Sequence, residues 1–168
     1  GQIKTFTNEG VVLADDAVHA LTLDPRNHTQ MAVGVGSFIN NGTVSATGAG
    51  GLILNDGKFT NDGVFQIATS SSLTQNAGVI FTNNSGRTLD IQGSWTSGTG
   101  GGGVIFNSGE VKYDSDIHST NQIGLTGIGS FTKDGSGTLT LQGANTSTGS
   151  ITLTEGTLVV AAGSASSL

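Results

Sequence analysis

One short pattern recurs along this chain at nearly constant spacing, and it restricts the available folds more than any other feature. Phe6-Thr7-Asn8-Glu9-Gly10-Val11-Val12 is echoed by Phe38-Ile39-Asn40-Asn41-Gly42-Thr43-Val44 and by Phe59-Thr60-Asn61-Asp62-Gly63-Val64-Phe65. It returns as Phe81-Thr82-Asn83-Asn84-Ser85-Gly86, as Phe106-Asn107-Ser108-Gly109-Glu110-Val111 and as Phe131-Thr132-Lys133-Asp134-Gly135. The Phe-to-Phe steps are 21, 22, 25 and 25 from Phe38 onward, and 32 for the first. A step of that size fits one turn of a parallel β-solenoid, in which each coil stacks on the one before. Asn-Gly pairs also mark antiparallel hairpins, but unrelated hairpins would not place Phe ahead of the turn six times at such a period. Each Phe is expected to point inward and stack on its counterpart, and the Asn residues to form a ladder along one edge. Each Gly is expected to turn a sharp corner with positive φ.

Gly, Ser, Thr and Asn supply 81 of 168 residues, a bias that would suit a disordered tract. Leu, Ile, Val and Phe supply 43, however, above the roughly one-fifth floor below which burial cannot offset chain entropy. A single proline, Pro25, among many Gly and Asn residues suits short strands joined by tight turns. The expected fold is all-β: a right-handed, single-stranded parallel β-helix of six to seven coils, a rod of about 30 Å at about 4.8 Å per coil. Residues 1–168 are one segment of it, and residues 14–35, which hold the long first step, are expected to be a protruding loop or a cap.

The net charge is −6, with four Lys and two Arg and no basic cluster, so nucleic acid and anionic membrane are not expected partners. Cysteine is absent, and no apolar run approaches the length of a membrane helix or a signal peptide, so the chain is expected to be soluble as it stands.

The clearest strands come late. Thr138-Leu139-Thr140-Leu141-Gln142, Ile151-Thr152-Leu153-Thr154 and Leu158-Val159-Val160 alternate, and they read as three sides of one triangular coil, with residues 143–149 as a polar loop. The stretch 137–160 begins Gly137-Thr138-Leu139-Thr140-Leu141, continues through Gly143-Ala144-Asn145-Thr146 and Thr148-Gly149, and closes on Gly156-Thr157-Leu158-Val159-Val160. It resembles the passenger-associated transport repeat of bacterial autotransporters, with Ser147 where an aromatic residue often stands in the family. The resemblance implies export through an outer-membrane barrel outside this chain, folding outside a Gram-negative cell, and a surface-exposed or released passenger. The repeat itself is implied to aid transport and folding, and the lack of cysteine fits passage through a pore.

Chemistry-bearing residues are few. Asp15, Asp16, His19, Asp24, Arg26 and His28 cluster in the long first step, and with Asn145 and Thr146 of the 143–149 loop they are the candidate partner-binding residues. An insertion without a partner is the equal alternative for the first cluster. Asp114, Asp116 and His118 alternate, as metal ligands on a strand would, beside Val111, Tyr113, Ser115 and Ile117 on the inner face. With no further ligand in view they read as a solvated polar face, and no metal or cofactor is expected. Gly100-Gly101-Gly102-Gly103 lacks the Lys-Ser/Thr of a phosphate cradle, and no serine-hydrolase motif occurs. The expected role is therefore non-catalytic: an adhesin or host-receptor ligand that meets a cell-surface protein or glycan. A structural stalk or transport module is the alternative, and a carbohydrate-active β-helix a third; turnover of an acidic polysaccharide would mark the last. The exposed strand edges at either end also suggest end-to-end self-association.

Overall fold

A computed structural model describes residues 5–25, 36–98 and 100–160. Short strands follow one another with no helix among the described residues, and every pairing between strands is parallel. Coil 1 is β1 (Thr5–Asn8), β2 (Val11–Ala14) and β3 (Leu21–Leu23). Coil 2 is β4 (Ser37–Asn40), β5 (Thr43–Ala46) and β6 (Leu52–Leu54), and coil 3 is β7 (Gly57–Asn61), β8 (Val64–Ile67) and β9 (Ser72–Gln75). Coil 4 holds β10 (Val79–Asn83), β11 (Thr88–Ile91) and β12 (Ser94–Ser97). Coil 5 holds β13 (Val104–Asn107), β14 (Glu110–Asp114) and β15 (Ser119–Asn121). Coil 6 is β16 (Gly124–Gly127), β17 (Ser130–Asp134) and β18 (Thr138–Leu141). Coil 7 is β19 (Thr146–Ser147), β20 (Ile151–Leu153) and β21 (Thr157–Val160).

The first and second strands of each coil build two continuous seven-stranded sheets. The third face is split: β3, β6, β9 and β12 form one sheet, and β15, β18 and β21 another. At the seam the Trp95 amide donates to the Ser119 hydroxyl at 3.3 Å, and the Tyr113 hydroxyl lies 2.9 Å from the same oxygen. A side-chain network thus stands where a backbone ladder would run. The fold is the parallel β-solenoid expected from the repeat.

Alternation along each strand sends every second side chain into the lumen. On the second face Val12, Val44, Phe65, Leu89, Val111, Phe131 and Ile151 form one register column. On the first face Phe6, Phe38, Phe59 and Phe81 are aligned, with ring centroids 5.4 Å apart for Phe6–Phe38 and 5.9 Å for Phe38–Phe59.

The aromatic column stops there, which corrects the expectation of a six-membered Phe stack. Ile105 pairs with Phe81, while Phe106 faces outward opposite Thr82 and is 47% exposed. Phe131 lies on a different face, paired with Val111. The reason is register. Asn107 aligns with Asn83, but it follows its Phe by one residue rather than two, and a one-residue shift sends a strand side chain to the opposite face. This register keeps the buried amide paired, and Ile105 takes the inward place that the ring gives up.

Two further expectations change. Thr138–Leu141 and Thr157–Val160 are not sides of one coil; Leu139 pairs with Leu158 and Leu141 with Val160, one coil apart on the same face. The first strand of coil 7 is Thr146–Ser147, inside the stretch read as a loop, where an inward Ser147 hides the apolar alternation. Residues 14–35 are not wholly an insertion, because Leu21 and Leu23 pair with Leu52 and Leu54 in the third face. The extra length lies between β3 and β4, where 13 residues (24–36) stand against two (55–56) between β6 and β7.

Candidate functional site

The Asn of each repeat copy ends the first strand, and alternation turns its amide inward at the corner. Asn8, Asn40, Asn61, Asn83 and Asn107 stack, each Nδ2 donating to the Oδ1 of the next coil at 2.9, 3.0, 3.0 and 3.0 Å. The expected ladder is present and buried, and it ends where Gly127 takes the position of the next Asn. Asn61→Ala removes a donor and an acceptor at once and strands the Asn83 oxygen. A loss of about 2–3 kcal/mol in urea unfolding is expected, with Asn61→Asp no better because a buried carboxylate cannot donate.

Glycine in the next corner serves a different purpose from the one expected. Gly86 and Gly135 do adopt positive φ, but Gly10, Gly42, Gly63 and Gly109 do not. A Cβ on Gly42 would lie 2.1 Å from the Gly10 carbonyl oxygen, and one on Gly63 would lie 2.1 Å from that of Gly42. The same clash would join Gly109 to Arg87, Gly129 to Gly109 and Gly149 to Gly129. These carbonyls accept the amide two or fewer residues beyond the glycine above, as Gly42 O does from Val64 N at 2.9 Å. At these glycines the coils lie too close for a side chain, whereas the longer corner of coil 4, residues 84–87, places Arg87 in the same column.

The candidate partner-binding residues fall into three groups. Asp15, Asp16 and His19 lie in the corner between β2 and β3, which takes six residues (15–20) against two (92–93) in coil 4. Asp16 Oδ1 accepts from the amides of Val18 at 2.7 Å and His19 at 2.9 Å, and these bonds hold its carboxyl below the usual range. The turn is therefore set, and it carries exposed Asp15, Val18 and His19 outward. Asp24 is part of another stack: Asn55 donates to its carboxylate at 2.8 Å, and Asn76 donates to Asn55 at 2.9 Å. This second ladder was missed in the sequence, although the spacings of 31 and 21 match the coil steps. Arg26 and His28 lie outside the described residues.

Thr146 lies in a strand rather than a loop, and Asn145 immediately precedes that strand. Asn145 is buried, accepting from the Leu125 amide at 3.2 Å and donating to the Gly143 carbonyl at 3.0 Å, so it closes the first face beneath coil 6. Thr146 is in β19, its hydroxyl 3.0 Å from that of Thr126.

Asp116 and His118 bind the next coil and Asp114 binds a lysine of its own strand, rather than one another. Asp114 takes the Lys112 ammonium at 2.9 Å, which raises the lysine pKa. Asp116 Oδ1 accepts from the Ser136 amide and hydroxyl, both at 2.8 Å, bonds that lower its own pKa. His118 Nδ1 accepts from the Thr138 amide at 2.9 Å. Strand β14 ends at Asp114, so Ile117 is exposed rather than inward.

Lys133 went unnoticed in the sequence. Its position in β17 turns it into the lumen, where it is fully buried below Tyr113 and above Leu153. The ammonium donates to the carbonyls of Gly135 at 2.6 Å, Asp134 and, at 3.4 Å, Glu155, and it lies 5.5 Å from the Tyr113 ring centroid. It therefore ties the corner of coil 6 to that of coil 7. Desolvation pushes its pKa down by more than Asp134, Asp114, Glu155 and Asp116 raise it. The signal was available: a Lys on the inner parity of Phe131-Thr132-Lys133.

These features define a scaffold of stacked coils, bound internally by side-chain ladders, with its variable chemistry at the corners. Residues 131–160 match the family model of the passenger-associated transport repeat, which spans β17 to β21 and includes Lys133. Neither the curated proteins nor the solved structures yield a significant match to the chain. A parallel β-solenoid carrying this repeat fits a fragment of an autotransporter passenger. The repeat implies placement outside a Gram-negative cell, secreted or at its surface, and association with an outer-membrane translocator.

Proposed function

We propose that this passenger segment acts without catalysis, as an adhesin or host-receptor ligand that meets a host cell-surface protein or glycan. The observation that supports it best is the corner of residues 15–20. It is the longest of the corners between the second and third faces, and an internal turn at Asp16 orders it. Its acidic, imidazole and apolar side chains are offered to solvent on a rigid support. Binding groups placed on ordered loops of a stiff scaffold lose little entropy on contact.

The test changes Asp15→Lys, Val18→Glu and His19→Ser together and spares Asp16, which holds the turn. The expected result is that the labelled wild-type chain binds host cells and the triple variant binds on the order of tenfold less, with the same β-rich circular dichroism. Equal binding by the variant removes this corner from the proposal. A wild-type chain that binds no host cell type leaves the second reading, a stalk or transport and folding module. That reading is favoured by one observation, the match of coils 6 and 7 to the transport repeat.

A further inference from the structure

Among the described residues six buried side-chain polar atoms have no hydrogen-bond partner, and four of them belong to one stretch of the lumen. They are Gln75 Nε2 and Oε1, Trp95 Nε1 and Asn121 Nδ2. The three residues are at most 1% exposed, and each lies on the inner parity of the third face, in coils 3, 4 and 5 respectively. Asn121 Oδ1 accepts from the Ile123 amide at 3.3 Å, so Nδ2 is its free end.

The two amides share a column. It runs Leu23, Leu54, Gln75 and Ser97 up to the seam of the third face, and Asn121, Leu141 and Val160 beyond it. Across the seam the Trp95 amide meets the hydroxyl of Ser119, 24 residues on, and the same offset sets Asn121 over Ser97. Coils 1, 2, 6 and 7 therefore fill this column with aliphatic side chains, and coils 3 to 5 with polar ones. Trp95 stands in the neighbouring column over Leu73, and its ring centroid is 6.4 Å from that of Tyr113 in coil 5. Two features leave room between these groups. Ser97 is short where leucine stands in coils 2 and 6, so carbon does not fill the gap between amides two coils, or about 10 Å, apart. In addition β12 and β15 belong to different sheets, so the ladder that draws coil to coil on the other faces is interrupted here.

We infer that this part of the lumen is a site for ordered water, which bridges Gln75, Trp95 and Asn121 across the seam. The set of free groups selects water over an ion. Three N–H groups require an acceptor, which a cation is not, and Gln75 Oε1 requires a donor, which a halide is not. Water is both, and buried polar groups that the chain leaves unpaired are met by it in this way. Together with the contacts of Ser119 to Trp95 and Tyr113, the water ties coil 4 to coil 5 where the backbone ladder does not. This goes beyond the receptor-binding reading and is independent of it.

Trp95 is the single tryptophan of the chain, so its indole N–H gives one resolved signal in the nitrogen-15-labelled protein. Cross-relaxation with water, with NOE and ROE of opposite sign as for a bound molecule, is expected at this N–H and at the side-chain N–H groups of Gln75 and Asn121. Gln75→Met keeps the length of the side chain and removes both polar atoms. Ser97→Leu fills the gap with the side chain of coils 2 and 6. In each variant the water cross-peak at Trp95 is expected to be lost, with unchanged circular dichroism. A wild type in which any of the three side chains lacks the cross-peak overturns the inference. So does a Trp95 cross-peak that persists in either folded variant, which would trace it to the neighbouring serine hydroxyls.

Discussion

Gly63→Ala is expected to destabilise the solenoid by about 3–5 kcal/mol, at the high end for a single methyl group. The added Cβ would stand 2.1 Å from the Gly42 carbonyl oxygen and 2.9 Å from the Asn41 carbonyl carbon. Both are backbone atoms, so neither can rotate aside. Relief requires coils 2 and 3 to separate, and the Gly42 oxygen is the acceptor for the Val64 amide, so separation breaks a ladder bond as well. The matched control is Gly10→Ala at the same corner of coil 1. With nothing within 4 Å and no left-handed backbone, it is expected to change stability by at most about 0.5 kcal/mol, in the stabilising direction if at all. Urea unfolding of the two variants separates them. Equal losses would show that the glycine column serves turn geometry rather than close approach.

Lys133→Ala is expected to cost about 4 kcal/mol and Lys133→Met about 2 kcal/mol. Methionine keeps most of the buried stem but leaves the carbonyls of Asp134, Gly135 and Glu155 facing the lumen without a donor. Alanine loses the stem packing under Tyr113 as well. The pH dependence has a definite sign. Burial lowers the folded-state pKa of this lysine below its ordinary value, so between the two the unfolded chain holds the proton and the folded chain does not. Stability therefore rises with pH through that window and levels off above the ordinary lysine pKa. The rise is expected in the wild type and absent in Lys133→Met. A wild-type urea midpoint that falls over the same window would mean that the carbonyl cage holds the charged form more strongly than desolvation opposes it.

Much of the architecture was legible from the residues because a solenoid repeats its local physics once per coil. The 21- and 22-residue steps between Phe38, Phe59 and Phe81 are the true coil lengths, and Asn at a fixed distance marks the corner where a ladder forms. Where the Phe and Asn signals disagree, the Asn pairing prevails. Phe106 and Phe131 looked like further members of the aromatic column, but in-register Asn pairing set the face of the first, and the second had no Asn to set it. Coil 7 was misread because its first strand, Thr146–Ser147, is two residues long and polar on its inner side. The binding candidates divided in the same way. Asp15, Asp16 and His19 share a corner as their proximity in the chain suggested, whereas Asp24 joins Asn55 and Asn76, 31 and 52 residues away, in a stack.

What the amino-acid order determined alone is the periodic frame: parallel coils, an inner apolar parity, and an amide at one corner. These depend on near neighbours and on the pleat, which has a period of two whatever surrounds it. What only the tertiary structure decided is which residue lies on which one coil away. Register turned a lysine into the tie between two corners, buried Asn145 beneath coil 6, and gave Gly42, Gly63, Gly109, Gly129 and Gly149 a role in close approach. Those outcomes depend on contacts between residues about twenty positions apart, and a shift of one residue in the stack exchanges inside for outside.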